Sequence, residues 1–295
     1  MLYFICSMSY ESIINDMISF GKTCVGVGRG DENNLEPGNH GPFWASNKPL
    51  PPLKKIKKEG VVCTGLIALL MRSAGMELFY VANKKPKGFK GIWGIGGTDE
   101  WMFQYKDYLE PIDVKAAYPK GTLLFRNFNE IDYGHVSMLI ESCEAGALLD
   151  TNVLQTAGSP VGKNKVTCNE KVRTQHEYYK KHPTNEKPQS LPWDKKKTFQ
   201  VRFNGPYYTH VLRPEYWVDT NSLRAARALV SSWSAKEDIT DDAKRAIFAL
   251  ARDSPDESLK LLKVAHKASK RVSELETRVL EEQVSGILKR RKLHK

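Results

Sequence analysis

The sequence lacks the features that mark membrane-spanning, disulfide-linked and zinc-binding proteins. No apolar run approaches the roughly 20 residues that a transmembrane helix needs. The five cysteines include no C-x-x-C pair, and an odd number in a chain of 295 residues argues against a disulfide framework. No cluster of cysteine and histidine has the spacing of zinc ligands. We therefore expect a protein of reducing surroundings that uses neither a metal nor a cofactor.

The chain also lacks a recognisable export signal. Residues 1–6 are apolar but too short for the core of a signal peptide, and no basic flank precedes them. We therefore expect a cytoplasmic location. The basic tail, residues 289–295, is compatible with nuclear or virion association, and equally with a solvated terminus.

Acidic residues are in deficit, and the formal net charge is +11. Residues 163–197 carry ten Lys and Arg residues against four Asp and Glu residues. The wider polar segment, residues 158–197, reads as an insertion that is either a solvated loop or an anion-binding flap. Such charge favours an anionic partner at the insertion and the tail, such as nucleic acid, acidic lipid or acidic glycan, without choosing among them.

One helix start carries a cysteine. Residues 60–75 predict a helix that begins near Cys63 and ends at Gly75, with Ile67 and Leu70 on the buried face at helical spacing. The positive end of a helix favours a thiolate over a thiol, and the thiolate is the nucleophilic form. Cys63 is therefore a candidate nucleophile, although a buried structural cysteine has the same pattern.

Three short strands follow and predict an antiparallel meander over residues 121–126, 134–141 and 147–155. His135 opens the second strand directly after a glycine, where an imidazole can face a cleft and serve as a base. On the third strand Asp150 is the candidate that would orient the imidazole. Asn152 lies on the same side under strand alternation, and Gln155 is a further alternative.

The remaining segments are mostly helical or irregular. A first helix is predicted over residues 9–20, and residues 24–53 are rich in glycine and proline, with an aromatic anchor at residues 41–44. Residues beyond 219 predict helices, and a heptad seam runs from Leu261 to Val279. That seam favours packing against the domain or a helix-mediated oligomer.

The order of these motifs resembles the NlpC-like branch of the papain-like thiol hydrolases, which has bacterial, fungal and viral members. Val62-Cys-Thr-Gly-Leu66 is similar to the family's Asp-Cys-Ser-Gly-Phe, and Gly121-Thr-Leu-Leu-Phe is similar to its Gly-Asp-Leu-Val-Phe-type strand. Gly134-His-Val-Ser-Met-Leu-Ile140 resembles the Gly-His-Val-Gly-Ile-Tyr strand. The resemblance spans about residues 9–217. It departs from the family at Val62, where the family has Asp, and at Asp150, where it more often has His, Asn or Gln.

The resemblance implies an α+β fold in which a cysteine-bearing helix packs on an antiparallel sheet. It implies a thiol hydrolase domain over residues 1–218, to which a helical region, residues 219–295, is appended. Cys63 would be the nucleophile, His135 the base and Asp150 the third residue of a peptidase or amidase that works through an acyl-enzyme on a peptide, amide or ester. The alternatives are a lipid acyltransferase or thioesterase with the same pair, and an inactive scaffold that binds nucleic acid or acidic surfaces.

Overall fold

The structure is a computed structural model, and it describes only part of the chain. The described residues are 10–30, 43–46, 48–78, 84–89, 94, 96–126, 134–157, 164–181, 189–191, 194–199, 207–218, 223, 225–227, 229–230 and 240–253. The predicted heptad seam and the basic tail lie outside these ranges. Statements about the structure below refer to the described residues.

Seven helices have defined bounds in the described ranges. They are α1 (Tyr10–Thr23), α2 (Leu53–Glu59), α3 (Cys63–Ser73), α4 (Thr98–Gln104), α5 (Val172–Lys181), α6 (Pro214–Trp217) and α7 (Asp241–Asp253). None of the helices in this part of the chain is both long and apolar enough to cross a membrane. The helix predicted to begin near Cys63 is confirmed and ends at Ser73, and Gly75 follows it with a φ of 71°. The sequence did not predict α2, which occupies the lysine-rich approach to α3.

The strands form one main sheet and one hairpin. They are β1 (Glu110–Pro111), β2 (Leu123–Arg126), β3 (His135–Leu139), β4 (Asn152–Ala157), β5 (Lys165–Lys171), β6 (Gln189–Leu191), β7 (Asp194–Phe199) and β8 (His210–Leu212). The main sheet has the order β1-β8-β2-β3-β4-β5, and β6 pairs only with β7. All of these pairings are antiparallel. A mixed α+β fold and the β2-β3-β4 meander are thereby confirmed.

Two parts of the sequence behave differently from the prediction. The segment 158–197, read as a polar insertion, contains β5, which pairs with β4 and forms the last strand of the main sheet. An edge strand needs only one neighbouring strand and tolerates lysine, so its sequence lacks the apolar run of a central strand. The third predicted strand begins later than expected, since residues 148–150 form a 3₁₀ turn before β4.

Helices α1 and α3 cover one face of the main sheet. Helix α3 packs against β3 and β4. A methyl group added at Gly21 of α1 would lie 2.3 Å from Leu154 Cδ2 and 3.1 Å from Leu70 Cδ2. Leu154 of β4 and Leu70 of α3 therefore lie side by side beneath α1.

A second apolar cluster covers the opposite face. Its members are fully or nearly buried, and they are Tyr118, Leu124, Leu139, Cys143, Leu148, Val153, Val172, Tyr207, Tyr208 and Val211. Leu139 and Val153 are paired across β3 and β4 and so point to the same face. This arrangement buries both faces of the central strands.

The chain divides into two compact units, residues 14–214 and residues 1–13 with 215–295. In the second of these, Arg252 lies 3.6 Å from Glu215, and the Tyr216 and Phe248 rings meet edge to face at 4.7 Å. Thr240 caps α7, since its Oγ1 accepts from the Ala243 N–H at 3.2 Å. The domain boundary expected after residue 218 stays a prediction.

Candidate active site

Cys63 is the first residue of α3, and the chain before it is held in place. The Val61 N–H donates to the Gly28 carbonyl at 3.0 Å, and residue 61 forms a parallel bridge with Arg29. Nε1 of Trp44 donates to the Gly60 carbonyl at 3.0 Å, so the predicted aromatic anchor does pack beside this helix. The first turn of α3 thus has a fixed position, and the Cys63 side chain is only partly exposed.

The described cysteines differ in access to solvent. Cys24, Cys63, Cys143 and Cys168 are all reduced. Cys24 and Cys143 are buried, and burial raises the pKa of the Cys24 thiol. Cys63 and Cys168 are the two partly exposed thiols of this set. Cys168, in the middle of β5, is therefore the natural internal reference for the reactivity of Cys63.

His135 is the first residue of β3, and its ring is buried. Its Nε2 lies 3.0 Å from Oε1 of Gln155, and the Tyr208 ring stacks on it with a centroid distance of 6.1 Å. Burial lowers the pKa of His135 to about 4, and the hydrogen bond to Gln155 opposes that shift only in part. The positive charges of Arg126 and Arg29 lower the pKa further. The imidazole is therefore neutral at pH 7, as a general base must be.

The Gln155 amide is the centre of a buried polar network. Its Nε2 donates to Glu170 Oε2 at 2.8 Å, and its Oε1 also accepts from Gln175 Nε2 and the Tyr208 hydroxyl, both at 3.3 Å. Oγ of Ser137 donates to the Tyr208 hydroxyl at 2.6 Å. Gln155 is 0 % exposed. The network holds the ring-facing oxygen of Gln155 against the histidine.

Asp150, the third residue that the sequence predicts, pairs with other residues than His135 in this structure. Asp150 lies in the 3₁₀ turn, and its exposed carboxylate pairs with Arg173 and Lys171. Asn152, the first alternative, donates from Nδ2 to Glu141 at 3.0 Å. The residue that contacts His135 is the remaining alternative, Gln155.

The strand register separates the two buried histidines. His135 pairs with Arg126, whereas the next row across the sheet joins Val136, Phe125 and His210. Because side chains alternate along a strand, His135 and His210 point to opposite faces. His210 shares its face with Leu154, the face that α1 and α3 cover.

Cys63 and His135 are not hydrogen-bonded to each other, although both are described. His135 lies at the amino-terminal end of β3, where it follows Gly134. Gly134 has a φ of 65°, and an added methyl group there would lie 3.0 Å from the Arg126 carbonyl oxygen and 3.3 Å from Cβ of Thr98. The amino terminus of α4 thus adjoins the start of β3, in a place that only glycine fits.

Helix α4 also anchors the glycine-rich loop before it. Glu100 is 0 % exposed, and its carboxylate accepts from the N–H groups of Gly94 at 2.9 Å and Gly96 at 3.0 Å. An acid that caps a preceding loop leaves no periodic signal in the sequence. The loop is thus positioned from the same helix that adjoins Gly134.

Sequence reasoning missed the other members of the network around Gln155. Glu170 and Gln175 lie in the segment that was read as a polar insertion, and Tyr208 precedes β8 by two positions. The buried glutamine at 175 had one usable signal, because an amphipathic helix over residues 172–181 would place it on the same face as Val172.

Comparisons with family models, with curated proteins and with solved structures give no match. In the described part of the chain no group of three or more His, Cys, Asp and Glu side chains is arranged to hold a metal ion.

Proposed function

We propose that the protein is a cysteine-dependent hydrolase of the papain-like, NlpC-type class, in which Cys63 is the nucleophile, His135 the base and Gln155 the orienting residue. The observation that carries the proposal is the contact between His135 Nε2 and Gln155 Oε1 at 3.0 Å. A glutamine that binds one ring nitrogen leaves the other, Nδ1, to exchange a proton with a thiol. The start of α3 at Cys63 supports the same assignment.

The reaction is acyl transfer. Nδ1 of His135 takes the proton of the Cys63 thiol, and the thiolate attacks the carbonyl carbon of an amide or ester. The leaving amine or alcohol takes that proton from His135, and an acyl-enzyme remains. Water then attacks the acyl group and gives a proton to Nδ1. The acid is released as the thiolate leaves, and Nδ1 returns the proton to the sulfur. Backbone N–H groups in the first turn of α3 are the candidate donors to the oxyanion.

The geometry requires the thiol and the imidazole to meet around the amino-terminal end of β3, where Gly134 has no side chain. His210 is the rival base, because it lies on the sheet face that α3 covers. Burial also lowers the pKa of His210 to about 4, so this imidazole is neutral at pH 7 as well. The test must therefore include both histidines.

The test compares thiol reactivity within one chain. Cys6, which lies outside the described residues, is replaced by serine. Iodoacetamide then alkylates the remaining thiols between pH 5 and 9. Mass spectrometry of the peptides gives the alkylation rate of each thiol. We expect Cys63 to react at least about tenfold faster than Cys168 at pH 7. His135→Ala should abolish that advantage, whereas His210→Ala should preserve it.

The opposite pattern, in which only His210→Ala slows Cys63, would assign the base to His210. Equal rates for Cys63 and Cys168 would end the hydrolase proposal. A second readout is the acyl-enzyme itself, since p-nitrophenyl acetate should transfer one acetyl group to Cys63 and release p-nitrophenol in a burst. Cys63→Ala is the control for that burst.

A further inference from the structure

The Gln155 amide has one orientation that suits its neighbours. Two donors converge on Oε1, Nε2 of Gln175 and the Tyr208 hydroxyl at 3.3 Å each, and Nε2 of His135 lies 3.0 Å from the same oxygen. On its other side, Nε2 lies 2.8 Å from Oε2 of Glu170. The oxygen and the nitrogen of the Gln155 amide thus contact different kinds of partner.

Glu170 is the partner that decides between the two orientations. A hydroxyl can rotate and the Gln175 amide can turn over, so Tyr208 and Gln175 can adapt to either end of the Gln155 amide. A carboxylate has acceptors only. A reversed Gln155 amide would place its oxygen against the Glu170 oxygen at hydrogen-bond distance, where two acceptors would face each other without a proton between them.

We propose that Glu170 is a positioning residue for His135. By holding the Gln155 amide, Glu170 keeps the imidazole proton on Nε2 and the lone pair on Nδ1. The inference rests on the proposed function, because Nδ1 is the nitrogen that takes the thiol proton there. In the other tautomer Nδ1 carries the proton and cannot act as the base. Glu170 therefore sets the fraction of molecules that are competent for the first step.

The tautomer can be read without any activity. The full chain carrying Cys63→Ala is labelled with ¹⁵N in its histidines, and long-range ¹H–¹⁵N spectra at pH 7 report which ring nitrogen is protonated. The signals of His135 are those lost in His135→Gln. We expect a protonated Nε2 and an unprotonated Nδ1 in this protein.

Three variants at β5 separate positioning from general disturbance. Glu170→Ala should move the His135 signals toward a mixture of tautomers. Glu170→Gln should keep the original tautomer, because its carbonyl can still accept from Gln155. Asn169→Ala changes the adjacent, exposed residue of the same strand and should leave the spectrum unchanged.

Two results would overturn the inference: a proton on Nδ1 in the parent protein, or an unchanged His135 spectrum in Glu170→Ala. If Glu170→Ala does not fold, Glu170→Leu keeps the bulk without an acceptor and supplies the same comparison. Alkylation of Cys63 in an otherwise wild-type Glu170→Ala chain should slow by about ten- to a hundredfold, which is no more than the low end of the roughly 10²- to 10⁴-fold that a general base contributes.

The outcomes for the two proposals are distinguishable. An unreactive Cys63 with a tautomer that depends on Glu170 rejects the hydrolase and keeps the positioning role. A reactive Cys63 that depends on His135, with a tautomer indifferent to Glu170, keeps the hydrolase and rejects the positioning role.

Discussion

Gln155 connects His135 to a partly buried acid, Glu170, through a single side chain. The histidine bonds to its oxygen, Glu170 accepts from its nitrogen, and none of its polar atoms reaches solvent. A buried amide of this kind is costly to disturb, since each partner that it loses becomes an unsatisfied polar group. The histidine side of the site is therefore sensitive to residues that never touch a substrate.

Asp150→Ala and Gln155→Ala are both expected to destabilise the protein, but by different amounts. Asp150→Ala removes an exposed pair with Arg173 and should lower the free energy of unfolding by less than about 1 kcal/mol. Gln155→Ala leaves buried donors of His135 and Gln175 without their acceptor and should cost about 1–3 kcal/mol. Urea denaturation gives both values.

The same two variants test which residue orients His135. Iodoacetamide alkylation of Cys63 should slow in Gln155→Ala and keep its rate in Asp150→Ala. If only Asp150→Ala slows the alkylation of Cys63, Asp150 would be the orienting residue, as the sequence predicts.

The packing of α1 and α3 on the sheet depends on a residue without a side chain. Gly21 lies where α1 passes over Leu70 of α3 and Leu154 of β4. Both leucines are fully buried, so neither side chain can move aside without displacing a neighbour. The position of the Cys63 helix on β3 and β4 is thus tied to this contact.

Gly21→Ala should destabilise the protein by about 1–3 kcal/mol, the usual cost of overpacking a core. Leu154→Ala opens space at the same point, so the second substitution should cost less in the Gly21→Ala background than alone. A urea double-mutant cycle measures that coupling. Gly28→Ala is the control, because a methyl group at Gly28 would meet nothing within 4 Å. Additive effects of the two core substitutions would contradict the described contact.

Local patterns predicted most of the elements but not the partner of the histidine. The Cys63 helix and strands β2 and β3 have apolar periodicities that end at turn residues, and each appears where expected. Asp150 was misplaced because Leu148 and Leu149 look like strand residues, whereas Leu148 is buried from a 3₁₀ turn. Since that turn delays β4, the residue that reaches the imidazole is five positions further on.

The edge strand β5 shows a different limit. Its exposed lysines gave the segment the composition of a solvated loop, and pairing with β4 is what makes it a strand. Glu170 reaches the Gln155 amide only because of that pairing. A buried polar network assembled from separate strands leaves no local trace in a single sequence.

At the scale of the whole molecule, two buried neutral histidines couple stability to pH. Burial lowers the pKa of His135 and of His210 to about 4, against an ordinary value of 6.5. Between these pH values the unfolded chain binds protons that the folded protein does not. The free energy of unfolding should therefore fall as the pH drops from 6.5 to 4, by up to about 3 kcal/mol for each histidine.

Urea unfolding at pH 7, 6, 5 and 4 tests this expectation. His135→Gln and His210→Gln should each make the decline less steep, because neither variant has the imidazole that the unfolded chain protonates. His176→Gln, at a partly exposed position on α5, is the control for removal of a histidine. A wild-type slope in both buried variants would show that other groups govern the acid response.

The strand order has a consequence for how the protein is made. The meander from β2 to β5 is complete once residue 171 has been synthesised, but β8 fills the place between β1 and β2 only after residue 212. The Thr209 N–H and the Phe125 carbonyl that it reaches are 84 positions apart. Until residue 212 has been synthesised, the nascent chain presents the open edge of β2, whose unpaired N–H and C=O groups can pair with other chains. Slow translation between residues 171 and 212 would lengthen that exposure.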